Sequence, residues 1–261
     1  MVAPRVRVSI RSLSKTFGQG PREVPAVSDV SFDVHEREFV AIVGPSGCGK
    51  STILNMVGGL VTPSAGEIVV DGQTVHGAPP PTVGYVFQKD TVFPWRTVED
   101  NVALGLEYRK VAPAQRAARV REAIALAGLQ GFEEAFPATL SGGMRQRVAL
   151  MRTLVVDPQI LLMDEPFGAL DTHTKLNLHA ELLSLWHAKQ QTVIFVTHDL
   201  SEAITLADRI VVMTRRPGRI KLLYDVKLPR PRDVIRIRES DEYLREYGEV
   251  WHALGEEFRP A

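Results

Sequence analysis

Gly44-Pro45-Ser46-Gly47-Cys48-Gly49-Lys50-Ser51-Thr52 decides how this chain is read. It matches G-x-x-x-x-G-K-S, a loop whose glycines let backbone N–H groups turn inward around a phosphate. Before it, Phe39-Val40-Ala41-Ile42-Val43 is an apolar run of strand length. After it, Ile53-Leu54-Asn55-Met56-Val57 carries apolar residues at helix-compatible spacing. Strand, loop and helix in that order are the context the motif requires. A helix beginning near Lys50 adds the positive end of its dipole. Lys50 is then placed to reach terminal phosphates, and the Ser51 hydroxyl to ligate Mg²⁺. The competing reading, a Gly-rich turn with an exposed lysine, does not explain why every fixed position of the motif is filled.

Length and composition bound the rest. The 261 residues suit one large domain or two small ones, and an apolar fraction of 44% fills a core. With 31 basic and 31 acidic residues, bulk charge leaves no footprint for nucleic acid. Cys48 is the single cysteine, which excludes an intrachain disulfide and a Cys-rich zinc site. No apolar run approaches the roughly 18–20 residues of a membrane span. Met1-Val2-Ala3-Pro4-Arg5 has no apolar signal core. The expected location is the cytosol, with any membrane role exercised by docking to something that spans.

Val6, Val8 and Ile10 alternate with polar residues, as do Val30, Phe32 and Val34. Two such half-buried strands predict an antiparallel sheet layered on the core. Phe17, in the Lys15–Gly18 stretch ahead of a Gly/Pro-rich loop reaching Pro25, either stacks on an adenine ring or packs in the core. Gly66–Gly72 reads as a strand ending in a turn, and Pro79-Pro80-Pro81 as a loop. Val83–Phe87 is a further strand with Gln88 at its end. Ile160-Leu161-Leu162-Met163 is a buried strand ending in Asp164-Glu165. Thr192–Val196 is another, followed by Thr197-His198-Asp199. Gln88, Asp164 and His198 thus share the edge past the carboxyl ends of the strands, where open α/β sheets bind ligands. Asp164 is suited to hold Mg²⁺ through water, and Glu165 to orient or deprotonate an attacking water. Gln88 touches the metal or that water, or is an ordinary loop residue. His198 is either functional or a structural hydrogen-bonding residue.

From Thr91 to Val156 the pattern is helical with no strand, so it reads as a helical insertion. Val120, Ile124 and Ala127 mark one apolar face. Within it, Leu140-Ser141-Gly142-Gly143-Met144-Arg145-Gln146-Arg147 places Ser141 as an N-cap. This is chemically a second anion site, or else a plain capped helix. Gly168-Ala169-Leu170-Asp171 turns into a helix ending near Lys189. Arg209–Met213 and Ile220–Val226 form a hairpin about the turn Arg215–Arg219. A basic, polar linker follows Pro229-Arg230-Pro231-Arg232. A last helix starts near Ser240, with Leu244, Tyr247, Trp251, Leu254 and Phe258 at three-to-four spacing. That stripe buries against the chain's own core edge or against a partner.

Together these features resemble the ATP-binding subunit of ABC transporters. The features are the loop at Gly44–Thr52, Gln88, Leu140-Ser141-Gly142-Gly143, Asp164-Glu165, Ala169-Leu170-Asp171 and His198, in the family's order. The Ser-Gly-Gly signature is specific to that family. The resemblance implies an α/β fold over residues 1–228: a P-loop NTPase (RecA-like) core, an antiparallel β layer and a helical subdomain inserted at approximately 91–156. Residues 229–261 would form a C-terminal linker and helix. It implies ATP and Mg²⁺ as cofactors, with Gly44, Pro45, Ser46, Gly47, Cys48, Gly49, Lys50, Ser51 and Thr52 on ATP and Phe17 stacked on adenine. Ser51, Gln88 and, through water, Asp164 would serve the metal. Glu165 would be the catalytic base, His198 would contact the γ-phosphate, and Gln88 would link nucleotide to the membrane partner. Leu140, Ser141, Gly142, Gly143 and Met144 would contact ATP held by a second subunit, and Asp171 would communicate across the dimer. Met144 stands where Gln is commoner in the family. A chain with two phosphate-binding helix ends and one phosphate-loop lysine is satisfied by a head-to-tail pair with two shared sites. ATP would close that pair and hydrolysis would release it.

Val92-Phe93-Pro94-Trp95-Arg96-Thr97-Val98-Glu99-Asp100-Asn101-Val102, Pro166–Asp171, Arg216–Arg219 and Leu228–Arg232 resemble importers of nitrate, taurine, sulfonates and bicarbonate. This implies an ATPase energising a membrane importer for a small anionic solute. Its partners would be an identical or pseudo-symmetric second ATPase subunit, a membrane-spanning permease and, indirectly, a solute-binding protein. Its place would be the cytoplasmic face of the inner membrane. Phe93-Pro94-Trp95 is expected to dock the permease, unless Trp95 is buried in the chain's own core. The alternatives are an exporter ATPase, which shares the chemistry, and a soluble ABC ATPase acting on nucleic acid. One cassette, no coiled-coil heptads and no net basic charge argue against the latter. Cys48 inside the loop is expected to make the enzyme sensitive to bulky thiol reagents, with ATP protecting, or else to be a buried inert thiol.

Overall fold

The computed structural model describes residues 5–89, 91–168 and 170–258. The elements in order are β1 (Val6–Phe17), β2 (Val24–His35), β3 (Phe39–Val43), α1 (Lys50–Val57), β4 (Ala65–Val70), β5 (Gln73–Thr74) and β6 (Val83–Val86). Three helices follow, α2 (Val98–Tyr108), α3 (Pro113–Leu126) and α4 (Gly142–Leu154). The chain then runs through β7 (Ile160–Asp164), α5 (Thr172–Lys189), β8 (Thr192–Thr197), α6 (Leu200–Leu206), β9 (Arg209–Met213), β10 (Ile220–Asp225) and α7 (Asp241–Gly255).

A six-stranded sheet has the order β10-β9-β3-β8-β7-β6. Strands β9, β3, β8, β7 and β6 are parallel, and β10 closes one edge antiparallel to β9. Parallel strands are covered on both faces and so read as continuous apolar runs. Phe39–Val43 and Ile160–Met163 are such runs, each residue 0–1% exposed. Their two faces feed two cores. Phe39, Ala41, Val43, Leu161, Met163 and Phe195 pack with the helices α2 to α6. Val40, Ile42, Ile160, Leu162, Ile194 and Val196 pack with α1 and the outer sheet.

The outer sheet is antiparallel, in the order β2-β1-β4-β5. Val8, Ile10, Leu13, Val30, Phe32 and Val34 point into the core, as alternation predicts. The strands run further than expected. β1 and β2 stay paired out to Phe17 opposite Val24, and the expected loop shrinks to a single 3₁₀ turn at Gly20–Arg22. The strand near Gly66 joins this sheet as β4, beside β1.

Val120, Ile124 and Ala127 are buried in the helical layer between β6 and β7. The stretch after β10 departs from the sequence expectation of a polar linker. Leu228 and Val234 are buried, and Arg232 is only 7% exposed. The Arg232 guanidinium donates to the carbonyls of Ile204, Thr205, Ala207 and Leu228. Arg230 donates to Asp208 and to the Leu206 carbonyl, and lies 4.1 Å above the Trp186 ring. The physical reason is the end of α6, whose last carbonyls have no intrahelical donors and are met by arginines.

The last helix also turns a different face inward. Tyr243, Val250 and Leu254 are buried, whereas Leu244 is 59% and Trp251 47% exposed. Glu246 takes an inward position because both its oxygens accept the Lys227 N–H, at 3.0 and 3.2 Å. Of the expected stripe, Leu254 is buried and Tyr247 packs in part, while Leu244 and Trp251 face outward. The side chain of Phe258 lies outside the described residues.

Candidate functional site

The phosphate loop joins β3 to α1, and packing dictates its glycines. A Cβ on Gly44 would lie 2.9 Å from both Cys48 Sγ and Met213 Cβ. Gly49 adopts φ +103°, and a Cβ there would stand 2.7 Å from Val27 Cγ2. Lys50 is 4% exposed and donates to the carbonyls of Gly44 at 2.8 Å and Pro45 at 3.0 Å. The lysine, at the start of α1, therefore braces the beginning of the loop that precedes it. Cys48 is 1% exposed. Burial pushes its thiol up, partly offset by Lys50. The structure favours the inert thiol over the reagent-sensitive one, because loop closure turns Sγ toward Gly44 and the core.

The sheet register assembles the chemical edge. Val86 pairs with Met163, and Asp164 with Val196. Residues just beyond those pairs, Gln88, Glu165 and His198, are thereby brought side by side. Ser51 Oγ donates to Asp164 Oδ1 at 2.8 Å. Burial raises the Asp164 carboxyl above the usual range, and the Ser51 bond opposes that rise. Glu165 leaves the strand with φ +42°, its N–H bonded to the Val196 carbonyl at 2.9 Å. Its Oε2 meets Gln88 Nε2 at 3.2 Å and His198 Nδ1 at 3.0 Å. Gln88 and His198 thus both meet the same Glu165 oxygen at the strand-end edge.

Gln88 and Glu165 border a cleft of about 360 Å³ also lined by Ser46, Gly47, Gly49, Lys50, Ser51 and Thr52 of the phosphate loop and by Phe17. Phe17 is 44% exposed and sits in this wall, with Lys15 Nζ 5.1 Å from its ring, so it is not a core residue. Ala26 and Arg216 complete the wall. Neither stands out as a site residue in the sequence. Arg216 belongs to a basic hairpin turn, and only the fold carries that turn to the cleft.

A second cleft of about 380 Å³ is lined by Ser141, Gly142, Gly143, Met144, Arg147, Leu170, Asp171 and Thr174. Ser141 caps α4 by accepting the Met144 N–H at 3.2 Å, and Asp171 caps α5 by accepting that of Thr174 at 3.0 Å. Leu140 is buried beneath. The two clefts share no lining residue. The structure thus brings Lys50, Ser51, Asp164, Glu165, Gln88, His198 and Phe17 together, and leaves Ser141–Met144 and Asp171 apart from them. Ala169 lies outside the described residues.

Trp95 is 71% exposed, which overturns its burial in the chain's own core. The reason is Asn101, fully buried, whose amide donates to the carbonyls of Phe93, Arg96 and Thr97 and accepts the Phe93 N–H at 2.7 Å. This clamp holds the loop so that the Trp95 ring packs at 5.3 Å on Phe93 and faces outward.

A parallel sheet with this loop, and a strand-end aspartate bonded to the loop serine, define a phosphate-loop nucleotide hydrolase. The comparisons give the family. The family model described as "ABC transporter" matches residues 27–168, and the chain belongs to the ATP-binding proteins of ABC transporters. It is an ABC-type ATPase, with ATP as the family's nucleotide. It is 45% identical to an uncharacterized ABC transporter ATP-binding protein of Methanocaldococcus jannaschii, over 97% of this chain and 93% of that one. It is 44% identical to the aliphatic sulfonates import ATP-binding protein SsuB of Bacillus cereus, over 86% of this chain and 88% of that one. Among solved structures it is similar to a dimeric ATP-binding cassette bound to ADP and phosphate. That likeness has TM-score 0.75 and 32% identity, and covers 85% of this chain and all of the other. Among the described residues no helix is long and apolar enough to cross a membrane.

Proposed function

We propose that this chain energises import of a small anionic solute of the sulfonate class, as one of a pair of ATPase subunits beneath a membrane permease. The observation that carries the chemistry is Glu165, met by Gln88 and His198 at 3.2 and 3.0 Å beside the cleft that holds Lys50 and Ser51. A carboxylate oriented from two sides is suited to take the proton of a water attacking a terminal phosphate. Lys50 would exchange the carbonyls of Gly44 and Pro45 for phosphate oxygens, which are stronger acceptors for an ammonium. Phe17 would offer its exposed face to the adenine.

Ser51 and Asp164 present a hydroxyl and a carboxylate oxygen 2.8 Å apart, the hard donors that Mg²⁺ takes alongside phosphate and water. They would hold that ion, which when bound neutralises charge on the phosphates. Gln88 is engaged with Glu165 and would reach the metal only by exchanging that contact.

The second cleft, separate from the first, is assigned to the nucleotide of the partner subunit, bound at the α4 N-terminus. ATP would then close the pair and hydrolysis release it. Supporting this are the separation of the two clefts and the dimeric cassette to which the chain is similar. The import direction is supported by the sulfonate-import relatives. Trp95 on its clamped loop would be the anchor for the permease. The chain would sit peripherally at the cytoplasmic face of the membrane, with a solute-binding protein delivering cargo outside.

Uptake of a labelled aliphatic sulfonate tests the reading in cells deleted for the gene and complemented in turn with wild type and Trp95→Ala. Uptake should vanish on deletion and return with wild type. With Trp95→Ala it should fall roughly tenfold or more, the scale of a truncated aromatic anchor, while the purified variant still binds ATP. Full uptake after deletion would contradict the solute class, and full uptake with Trp95→Ala the docking role.

A further inference from the structure

The turn Arg215-Arg216-Pro217-Gly218-Arg219 joins β9 to β10 and belongs to none of the nucleotide motifs read from the sequence. Its Arg216 nevertheless lines the cleft with Lys50, Ser51 and Phe17. The turn is hydrogen-bonded to β2 and packs against the phosphate loop. Gly218 N–H donates to the Ala26 carbonyl at 2.9 Å, and Ser28 N–H donates to the Gly218 carbonyl at 3.0 Å. A Cβ on Gly218 would stand 2.0 Å from the Cys48 carbonyl oxygen, so the two segments are in direct contact. The turn cannot shift without pressing on the loop that cradles phosphate.

The 3₁₀ turn following the last helix holds it from the other side. Glu257 Oε2 accepts the Arg215 N–H at 2.9 Å, and Glu257 Oε1 takes Lys221 Nζ at 2.8 Å. Glu256 joins the same lysine at 2.6 Å. The Glu257 side chain is 13% exposed, and Lys221 followed by the Arg215 N–H holds its carboxyl below the usual range. Arg215 and Lys221 are thus tied to the C-terminal turn. Arg216 between them makes no ion pair with a carboxylate among the described residues. A guanidinium is a fork of donors suited to phosphate oxygens. Here it stands in the wall of a cleft built for them.

We propose that Arg216 is a further nucleotide ligand that binds the phosphate chain, and that the 3₁₀ turn following α7 sets its position through Glu257. This rests on reading the cleft as the ATP site. Nucleotide affinity would then depend on contacts at the far end of the chain. Disturbing the Glu256–Glu257 turn would loosen Arg216 and weaken ATP without altering the phosphate loop itself.

The test is the Kd of the full chain for ATP, GTP and adenosine, by calorimetry at two salt concentrations. Arg216→Ala should weaken ATP and GTP alike, on the order of three- to tenfold for a partly exposed charge-assisted contact. It should leave adenosine unaffected and flatten the salt dependence. Arg216→Lys should recover part of the loss. Glu257→Ala should weaken ATP in the wild-type background and add nothing in the Arg216→Ala background. Lys221→Ala, which removes the ion pair but keeps the carboxylate, should give the same pattern if Glu257→Ala proves unstable. Unchanged ATP affinity in Arg216→Ala would overturn the assignment. So would a loss for ATP and adenosine that spares GTP, because the guanidinium would then be on the base. Additive losses in the double variant would break the link to the turn following α7. A wild-type chain that binds no nucleotide at all would instead sink the ATPase reading beneath it.

Discussion

Replacing Asn101 with Ala should cost the protein much of its stability while leaving nucleotide binding intact. Asn101 is fully buried, and its side chain bonds Phe93 N–H at 2.7 Å and the carbonyls of Phe93, Arg96 and Thr97 at 3.1, 3.0 and 2.9 Å. Alanine removes every one of these contacts and supplies no replacement. The Thr97 carbonyl keeps the backbone bond from Asn101 N–H at 2.9 Å, so its loss is small. The Phe93 carbonyl likewise keeps the Arg96 N–H at 3.1 Å, so the Phe93 N–H and the Arg96 carbonyl are left to find water at a partly buried loop. At about 1–3 kcal/mol for each buried group left unmet, with partial rescue by solvent, the loss sums to about 3 kcal/mol. For a domain of this size that corresponds to a fall in Tm of roughly 6–12 °C. Circular dichroism during heating and urea titration measures it. Fluorescence anisotropy of Trp95 should fall in the same variant, since the clamped loop presents that ring. Asn101 bonds to none of the residues lining the nucleotide cleft, so the ATP Kd should stay within about twofold, the spread expected of independent sites. A stability loss below about 1 kcal/mol, no more than an ordinary net hydrogen bond, would refute the clamp.

Lys50→Ala should raise the Kd for MgATP by roughly 10- to 100-fold, the worth of charge-assisted bonds to phosphate. Calorimetry checks this, and an unchanged Kd would remove the basis of the site. Asp164→Asn should weaken the Mg²⁺ dependence of ATP binding. Because burial raises the Asp164 carboxyl, wild-type Mg²⁺-dependent binding should decline on acidification at a pH above the ordinary carboxylate value of about 3.9. The Asn variant, with no proton to take up, should lack that limb in a calorimetric pH series. Cys48, buried with its thiol pushed up, should label slowly with a thiol reagent at neutral pH. Its rate should climb only above the ordinary thiol value of about 8.5. Rapid stoichiometric labelling of the folded chain at pH 7 would contradict that burial.

The parallel core was legible because its strands are buried on both faces and so stand out as unbroken apolar runs between loops. The positions of Gln88, Glu165 and His198 at strand ends followed from those runs, and the register then brought them within hydrogen-bonding distance. The C-terminal region was less legible. The interior places of Arg230 and Arg232 were not readable, since sequence does not reveal that the end of α6 offers them carbonyls. Which residues of α7 face inward was not readable from apolar spacing alone, because Glu246, a charged residue, occupies a buried place by accepting the Lys227 N–H. Trp95 could not be assigned from the sequence, because its exposure depends on Asn101, six residues away, taking the interior position. Arg216 escaped notice because its place in the cleft comes from a contact between distant segments, Gly218 against Cys48.

Glu165→Gln separates binding from chemistry. Gln preserves the volume and the reach toward Gln88 and His198 but has no carboxylate to accept a proton. The variant should bind MgATP as wild type does and release phosphate slower by a factor on the order of 10²–10⁴, the range for a positioned general base. With ATP left intact, gel filtration should show an ATP-dependent shift from monomer to dimer, abolished by adding Ser141→Arg in the second cleft. Phosphate release by Glu165→Gln at the wild-type rate would place the base elsewhere and contradict the mechanism.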